Sequence, residues 1–556
     1  MEKRLILAIV LSFLVLMGYQ LLFVKPKPQT ETPPVTVPAP VTKQGATEAL
    51  PGGQVPPATL EAKTPAQPVS AQELKTMGAQ TEEEVVVETS LYWAAWTNKG
   101  GVLKSWKLKK HTNDRKEALE LVPAAAQEIG RYPFSLGGDD SAFSGALNSA
   151  FFEASRTSLV LKDGQKDEVR FSYSDGKSVR AEKVFRFTGG TYQMGIELHV
   201  SKNGQEIVPS LLWGPGIGNP SPAEMKQRFT ASTGAAVYAG GKVYRMDERK
   251  YKPETSAYNF VDWAAYEENY FAALFVLPSQ KGQAAFLQES QGRGKAPAYF
   301  LSVSRPQAAF IGPKDFDALK TFGHEGKKII NFGVFGSLAE ILLVSVKFFY
   351  KLVPNWGLAI ILLTLVIKII FFPLTYSSTK SMSKMAELQP KVKAIRAKYK
   401  KAKSDIAQRR QMNEEMMKLY KEHGVNPAGG CLPLLIQLPI FWGVFRMLVA
   451  SVEFRHAPFG LWIQDLSVRD PYYVTPVLMG LTQFISQKMT PTSADPAQAK
   501  MMLIMPVIMT FFFMNFQSGL VLYWLTTNVL QIGQQAIMNR MMGRHKREPD
   551  GKPRKN

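Results

Sequence analysis

Residues 356–376 read WGLAIILLTLVIKIIFFPLTY, and this stretch decides the class of fold. It is an apolar run long enough to cross a bilayer, broken by one cation, Lys368. A basic residue at that depth costs about 2.5–3.5 kcal/mol on insertion scales, so it is expected to face a partner or a water-filled space. The competing reading is snorkelling toward the basic segment that follows, roughly eight residues or about 12 Å along a helix. Thr364 stands four residues earlier, on the same helix face.

Working outward, residues 430–450, 472–487, 501–516 and 519–538 are also apolar, which predicts five spans in this half of the chain. None of the five contains Asp or Glu, so Lys368 has no acidic partner among them. What they offer is neutral polarity. Trp524, Asn528, Gln531 and Gln535 recur at helical spacing and form one stripe, with Gln437 and Gln483 on neighbouring spans. Such amides either tie helices together or, beside an unpaired lysine, line a hydrated groove. Residues 472–487 and 501–516 would rise only about 24 Å, less than the ~30 Å hydrocarbon core, and short spans thin a bilayer.

The chain has 556 residues, 67 of them Lys or Arg against 46 Asp or Glu, for a net charge of +21. That excess is uneven. Residues 377–428 hold thirteen basic and five acidic side chains, and Arg540, Arg544, Lys546, Arg547, Lys552, Arg554 and Lys555 follow the last span. The loop 451–471 has only Arg455 and Arg469. The positive-inside rule puts 377–428 and the C-terminus in the cytoplasm. Charge therefore follows topology. A DNA-binding reading lacks aromatic readers, since 377–428 has only Tyr399 and Tyr420. Met382, Met385, Leu388, Val392, Ile395 and Tyr399, then Met412, Met416, Leu419 and Tyr420, recur at helical spacing and predict a two-helix hairpin. Its cations, Lys391 among them, suit a solvated face and anionic lipid headgroups. Contact with a nascent chain or the ribosome is a compatible further role.

Lys3 and Arg4 precede a further apolar run, 5–24, which is read as a transmembrane anchor (1–24); a cleaved signal peptide is the alternative. Residues 25–80 are rich in Pro, Thr, Ala and Gln and predict a flexible linker. From 81 to 325 the pattern changes to short β-type runs at 85–87, 91–96, 168–172, 179–187, 191–200, 270–277 and 298–303. A Gly189-Gly190 turn joins two of them, and the whole suggests an antiparallel sandwich on the exported side. Trp213-Gly214-Pro215-Gly216 reads as a loop whose aromatic either meets a ligand or packs inward. Residues 330–354, interrupted by Glu340, Lys347 and Lys351, predict an amphipathic helix lying on the membrane surface. Cys431 is the sole cysteine, no histidines have metal-ligand spacing and no nucleophile motif occurs. No catalysis, metal or cofactor is expected.

Four segments resemble the YidC/Oxa/Alb insertase family. They are FFPLTYSSTKSMSKMAELQPKVKAI (371–395), EEMMKLYKEHGVNPAGGCLPLLIQLPIFWGVFRML (414–448), APFGLWIQDLSVRDPYYVTPVLMG (457–480) and MPVIMTFFFMNFQSGLVLYWLTTNVLQIGQQ (505–535). With the anchor and the β region, the resemblance covers the whole chain in its Gram-negative form. It implies a polytopic α-helical inner-membrane protein of six spans. A five-span insertase core (355–539) would enclose the hairpin 377–428 and end in a basic tail (540–556). It implies a periplasmic β-supersandwich and a groove open to cytoplasm and lipid. It further implies nascent inner-membrane proteins as substrates and the SecYEG translocon as a partner. The groove residues it points to are Lys368, Thr364, Gln437, Tyr523, Trp524, Asn528 and Gln531. Met382, Met385, Lys391, Met416 and Tyr420 fall on the capture hairpin. The family commonly has Arg where Lys368 stands and Tyr where Trp524 stands beside Tyr523. A lysine can give up its proton where an arginine cannot. Two other readings stay open. A secondary transporter would use Lys368 in a substrate site, though no second half echoes TLVIKIIFF as paired repeats would. A scaffold would use the β region and keep the helices only as an anchor.

Overall fold

The computed structural model describes residues 75–219, 233–253, 256–292, 295–399, 405–425, 432–490 and 496–545. The expected anchor (1–24), all of the linker before residue 75 and the tail beyond 545 lie outside the described residues.

Among the described residues the β region forms three sheets. A ten-stranded sheet runs from Lys242–Asp247 to Glu153–Ala154 through Phe271–Val276, Ala308–Pro313, Gln193–Lys202 and Val179–Thr188. Two five-stranded sheets accompany it, one built on Val102–Thr112 and Tyr92–Thr97, the other on Gln283–Glu289 and Ala298–Ser304. Phe275, Ala309, Met194 and Phe187 stand opposite one another across neighbouring strands of the large sheet. Side chains alternate along a strand, so Phe185 shares the face of Phe187 and Phe275. Trp96 of the first small sheet meets Phe185, and Trp213 of the other meets Phe275. Both small sheets therefore cover the same face. Among the described strands pairing is antiparallel except where Glu84–Glu88 runs parallel to Ser158–Val160. Trp213 is fully buried and its Nε1 donates to the Gly216 carbonyl at 3.1 Å, so this aromatic belongs to the core.

Nine helices follow among the described residues, labelled here α1 to α9: Gly336–Leu352, Trp356–Ile370, Phe372–Glu387, Gln389–Lys398, Ile406–Glu422, Leu432–Ala450, Val474–Met489, Pro496–Phe513 and Ser518–His545. Asn355 caps α2 by accepting from the Leu358 amide at 3.0 Å. α2 stops at Ile370, short of the expected 376, because Pro373 lacks an amide proton and fits only the first turn of a new helix. The first arm of the hairpin is consequently two helices, α3 and α4, with Pro390 in the first turn of the second. α9 runs past the expected 538 to His545.

α1 and α2 are bent by 119° at their junction. Among the described residues no single helix is both long and apolar enough to cross a membrane; α1 and α2 would pass together. The outer surface is nonetheless apolar. Leu365, Ile369 and Ile370 on α2, Val477, Leu481 and Ile485 on α7, Ile504, Val507 and Phe511 on α8, and Val529 on α9 are all exposed. Side chains of this type cover the interior of a soluble protein and the outside of a lipid-embedded one. Close packing holds α7 to α8. A Cβ at Gly480 would stand 1.9 Å from Thr510 Oγ1, so a larger residue there would have to displace that hydroxyl.

The β region is tied to the helices at one edge. Asn269 Nδ2 donates to the Val449 carbonyl at 3.0 Å, and Arg455 Nη1 to that of Thr112 at 2.8 Å. Lys347 on α1 lies within 2.8–3.3 Å of Asp317, Glu453 and Asp315.

Candidate functional site

The helices leave a cavity of about 330 Å³ between α2, α3, α6, α7 and α9. Thr364, Lys368, Gln437, Tyr523, Trp524, Asn528, Gln531 and Met382 all line it, so the sequence-derived set converges on one space. Met385, Lys391, Met416 and Tyr420 are not among its walls. Met385, Met416 and Tyr420 are half-buried within the hairpin. Lys391 lies 3.1 Å from His423 Nε2, tying α4 to the end of α5. Lys398 and Glu415 add an exposed pair between the same arms at 3.1 Å.

Lys368 Nζ donates to Gln531 Oε1 at 2.9 Å. This neutral contact satisfies one of its three N–H groups, and among the described residues no carboxylate pairs with it. Its side chain reaches across the bundle to α9. Thr364 is buried, and its hydroxyl donates back to the Ile360 carbonyl at 2.7 Å.

The amide stripe divides. Trp524 Nε1 donates to Gln483 Oε1 at 3.2 Å, and Asn528 Nδ2 to the Met479 carbonyl at 3.1 Å. These two fasten α9 to α7 while their rims still border the cavity. Gln531 alone turns to Lys368. Gln535 is fully buried and donates to Asn539 Oδ1 at 2.9 Å, away from the cavity. The stripe is thus partly helix-to-helix fastening and partly cavity wall, because a helix face wider than one residue meets two neighbours.

Sequence reasoning missed the hydroxyls. Thr375, Ser378, Thr379, Ser486, Thr490 and Thr527 also line the space. The signal was present: Thr364, Lys368, Thr375 and Thr379 keep helical spacing across the Pro373 break, and Gln483, Ser486 and Thr490 do so on α7. At the end of the cavity nearest the α8–α9 turn, aromatic rings close in. Trp524 lies 5.0 Å from Phe441 and 5.3 Å from Phe513, and Phe445 lies 5.8 Å from Phe516. The opposite end meets the hydroxyls of α3. The result is a pocket of mixed lining, apolar walls crossed by amides and hydroxyls, that carries one cation, is plugged at one end by rings and is flanked outside by exposed Ile369 and Ile370. It can receive an anion or a hydrogen-bonding segment. No group of His, Cys, Asp or Glu able to hold a metal occurs among the described residues.

Comparison with known proteins places this architecture. Residues 348–546 match the family model described as 60Kd inner membrane protein, and residues 84–345 match that of the YidC periplasmic domain. A membrane protein insertase YidC of Geobacter metallireducens is 38% identical, across 97% of this chain and 98% of its own length. One from Syntrophus aciditrophicus is also 38% identical, across 97% of this chain and 100% of its own. A crystal structure of an active YidC insertase with its first transmembrane domain resolved is 22% identical, covering 83% of this chain and 94% of that one, with a TM-score of 0.35. With both halves matched by family models and the full length matched by close relatives, the chain belongs to the YidC family of membrane protein insertases, with a β-strand-rich periplasmic domain and a helical C-terminal core.

Proposed function

We propose that this protein integrates inner-membrane proteins into the bilayer, and that the cavity around Lys368 receives the polar end of the entering segment. The carrying observation is one lysine whose hydrogen-bond partner among the described residues is a neutral amide, in a cavity lined by amides and hydroxyls among apolar side chains and directly beside an exposed apolar face. In this reading α2, α6, α7, α8 and α9 cross the membrane, and residues 1–24 add a sixth span. The β domain (81–325) is periplasmic, α1 lies on the membrane surface, and both termini and the hairpin 377–428 are cytoplasmic.

The incoming hydrophobic segment meets the hairpin first, where Met382, Met385, Met416 and Tyr420 offer adaptable apolar contact and Lys391 a nearby cation. Its short polar tail then enters the cavity. A carboxylate moving through hydrocarbon loses about 2.5–3.5 kcal/mol per Asp on insertion scales. Lys368 and the surrounding amides and hydroxyls replace part of its lost water. The apolar part of the substrate slides along the outer faces of α2, α7 and α8 into lipid. Larger substrates are handled together with the Sec translocon. The ribosome and anionic lipid headgroups are served by the basic hairpin. No cofactor takes part.

The test is insertion by the reconstituted protein of matched substrates with acidic and neutral tails. Lys368→Met should slow the acidic-tailed substrate by about tenfold or more, the equivalent of ~1.4 kcal/mol, and the neutral one much less. Equal slowing of both removes the electrostatic role of Lys368.

A further inference from the structure

A second cavity, of about 290 Å³, lies where the periplasmic domain meets the helical core, between strand Lys242–Asp247, the segment 327–333 and the first half of α1. Its walls carry Arg245, Lys327 and Lys328. Arg245 Nε pairs with Glu267 at 3.0 Å, and its Nη2 donates to the carbonyls of Ile329 at 2.6 Å and Lys328 at 3.3 Å. From the other side Arg446 of α6 donates through Nη2 to the carbonyl of Asn331. Two guanidinium groups thus hold one short stretch of backbone.

Their charge is not cancelled. Arg446 Nε is buried without an acceptor, and among the described residues no carboxylate pairs with this guanidinium. It lies against the cavity wall, since a Cβ on Gly333 would stand 3.2 Å from its Nε. Glu267 is shared between Arg245 and the buried Lys314, each at 3.0 Å. Lys327 pairs with Glu340 at 3.0 Å and Lys328 with Glu325 at 3.3 Å. Three cations, Arg245, Lys327 and Lys328, therefore line this cavity against the single lining carboxylate of Glu340, and Lys327 and Lys328 keep N–H groups for a further anion.

The surroundings say which anion. Ile341, Val344, Phe348 and Leu352 are each more than half exposed and follow one side of α1, and Val334 just before it is 97% exposed. With α2 crossing the bilayer, the 119° bend leaves α1 roughly 30° from the membrane plane, its apolar side toward the acyl chains. The cationic cavity, at the start of α1, then adjoins this apolar strip.

We propose that this junction binds an anionic phospholipid of the periplasmic leaflet, with its phosphate in the cavity at Lys327 and Lys328 and its chains along the exposed side of α1. The site is separate from the Lys368 cavity and rests only on the membrane placement of α1 and α2. An anion there joins the periplasmic domain to the insertase core by screening Arg245 and Arg446 from each other.

Native mass spectrometry of the full-length protein in detergent, titrated with phosphatidylglycerol or phosphatidylcholine, tests it. The protein should retain phosphatidylglycerol preferentially. Lys327→Gln and Lys328→Gln, both at half-exposed positions that leave the arginine clamp intact, should each cut that preference about fivefold. Phe348→Ser should weaken both lipids and leave the preference unchanged. Equal retention of the two lipids by the unaltered protein overturns the proposal, as does a preference that survives the double glutamine variant. Displacement of phosphatidylglycerol by inorganic phosphate alone, or no effect of Phe348→Ser, would show a small-anion site and overturn the lipid assignment.

Discussion

The periplasmic domain and the helical core each enclose a lysine that no carboxylate neutralises among the described residues, and the two are held in opposite ways. Lys183, on strand Val179–Thr188, is fully buried, and its Nζ donates to the carbonyls of Gly100 at 2.7 Å, Phe134 at 2.8 Å and Gly101 at 3.3 Å. Three N–H groups meet three acceptors. Gly100 and Gly101 form the turn of one small sheet, and Phe134 precedes strand Ser135–Gly137 of the other, so this one side chain fastens all three sheets. Lys368 has one neutral partner and open space. Burial of a charge is therefore a poor mark of function by itself. Unused hydrogen-bonding capacity beside a cavity is the better one.

The comparison breaks most readily on stability. Lys183→Met leaves three buried carbonyls without their donor, at about 1 kcal/mol or more each. Relief of the buried charge offsets part of this. We expect a loss of about 2–3 kcal/mol in unfolding of the full-length protein in detergent. Lys368→Met should cost under about 1 kcal/mol, because water in the cavity takes over the freed groups. An equal loss at both sites would mean that Lys368 is also structural.

Enlargement separates the two next. Lys183 has no room, so Lys183→Arg should overpack its site and destabilise by about 1–3 kcal/mol. Lys368 borders about 330 Å³ of space. Lys368→Arg should keep stability and keep insertion of acidic-tailed substrates within about twofold, since the charge is retained. A Lys368→Arg protein as inactive as Lys368→Met would show that the cavity recognises ammonium shape and not charge.

Titration sharpens the contrast further. Burial pushes the Lys183 ammonium down to about 7 from its ordinary 10.5. Between those values the unfolded chain binds the proton and the folded domain does not, so stability rises with pH across that window. Below about 7 both states are protonated and the slope vanishes. The gap between the unaltered protein and Lys183→Met should accordingly widen from pH 7 to pH 9, read as the difference in unfolding free energy. A constant gap would mean that the three carbonyls hold the proton as firmly as water does.

The two regions also differ in what the sequence disclosed. Helix positions were legible because hydropathy is a local property: α6, α7 and α8 fall within a few residues of the apolar runs. The strands 179–187 and 298–303 were legible through β-branched and aromatic enrichment. The break at Phe371 has a local cause in Pro373, but the apolar run continues across it and masks it in the hydropathy pattern. Lys368 stood out because nothing near it in sequence was charged. Lys183 did not, because it sits among Arg180, Glu182 and Arg186 in an ordinary alternating strand. Its three acceptors come from residues 100, 101 and 134, and backbone carbonyls carry no residue signature at all. The junction was equally hidden. Arg455 meets Thr112 across 343 positions of chain, and no periodicity reaches that far.

The smallest effect tests the neutral partner itself. Gln531 Oε1 holds Lys368 Nζ at 2.9 Å, and a hydrogen bond of this kind contributes about 0.5–1.5 kcal/mol net. In Gln531→Leu the ammonium loses that acceptor but still borders about 330 Å³ of space that water can enter, which places the cost at the low end. Acidic-tailed substrates should insert about two- to threefold more slowly, because the charge is less well aimed, and neutral-tailed ones at their former rate. Stability should hardly change, since Asn528 and Trp524 still fasten α9 to α7. If Gln531→Leu were as slow as Lys368→Met, the amide and not the cation would be the group that meets the substrate, and the cavity would recognise hydrogen bonding more than charge. If instead it inserted acidic tails faster, Gln531 would be a competitor that the entering carboxylate must displace, and the resting contact would act as a latch on the lysine.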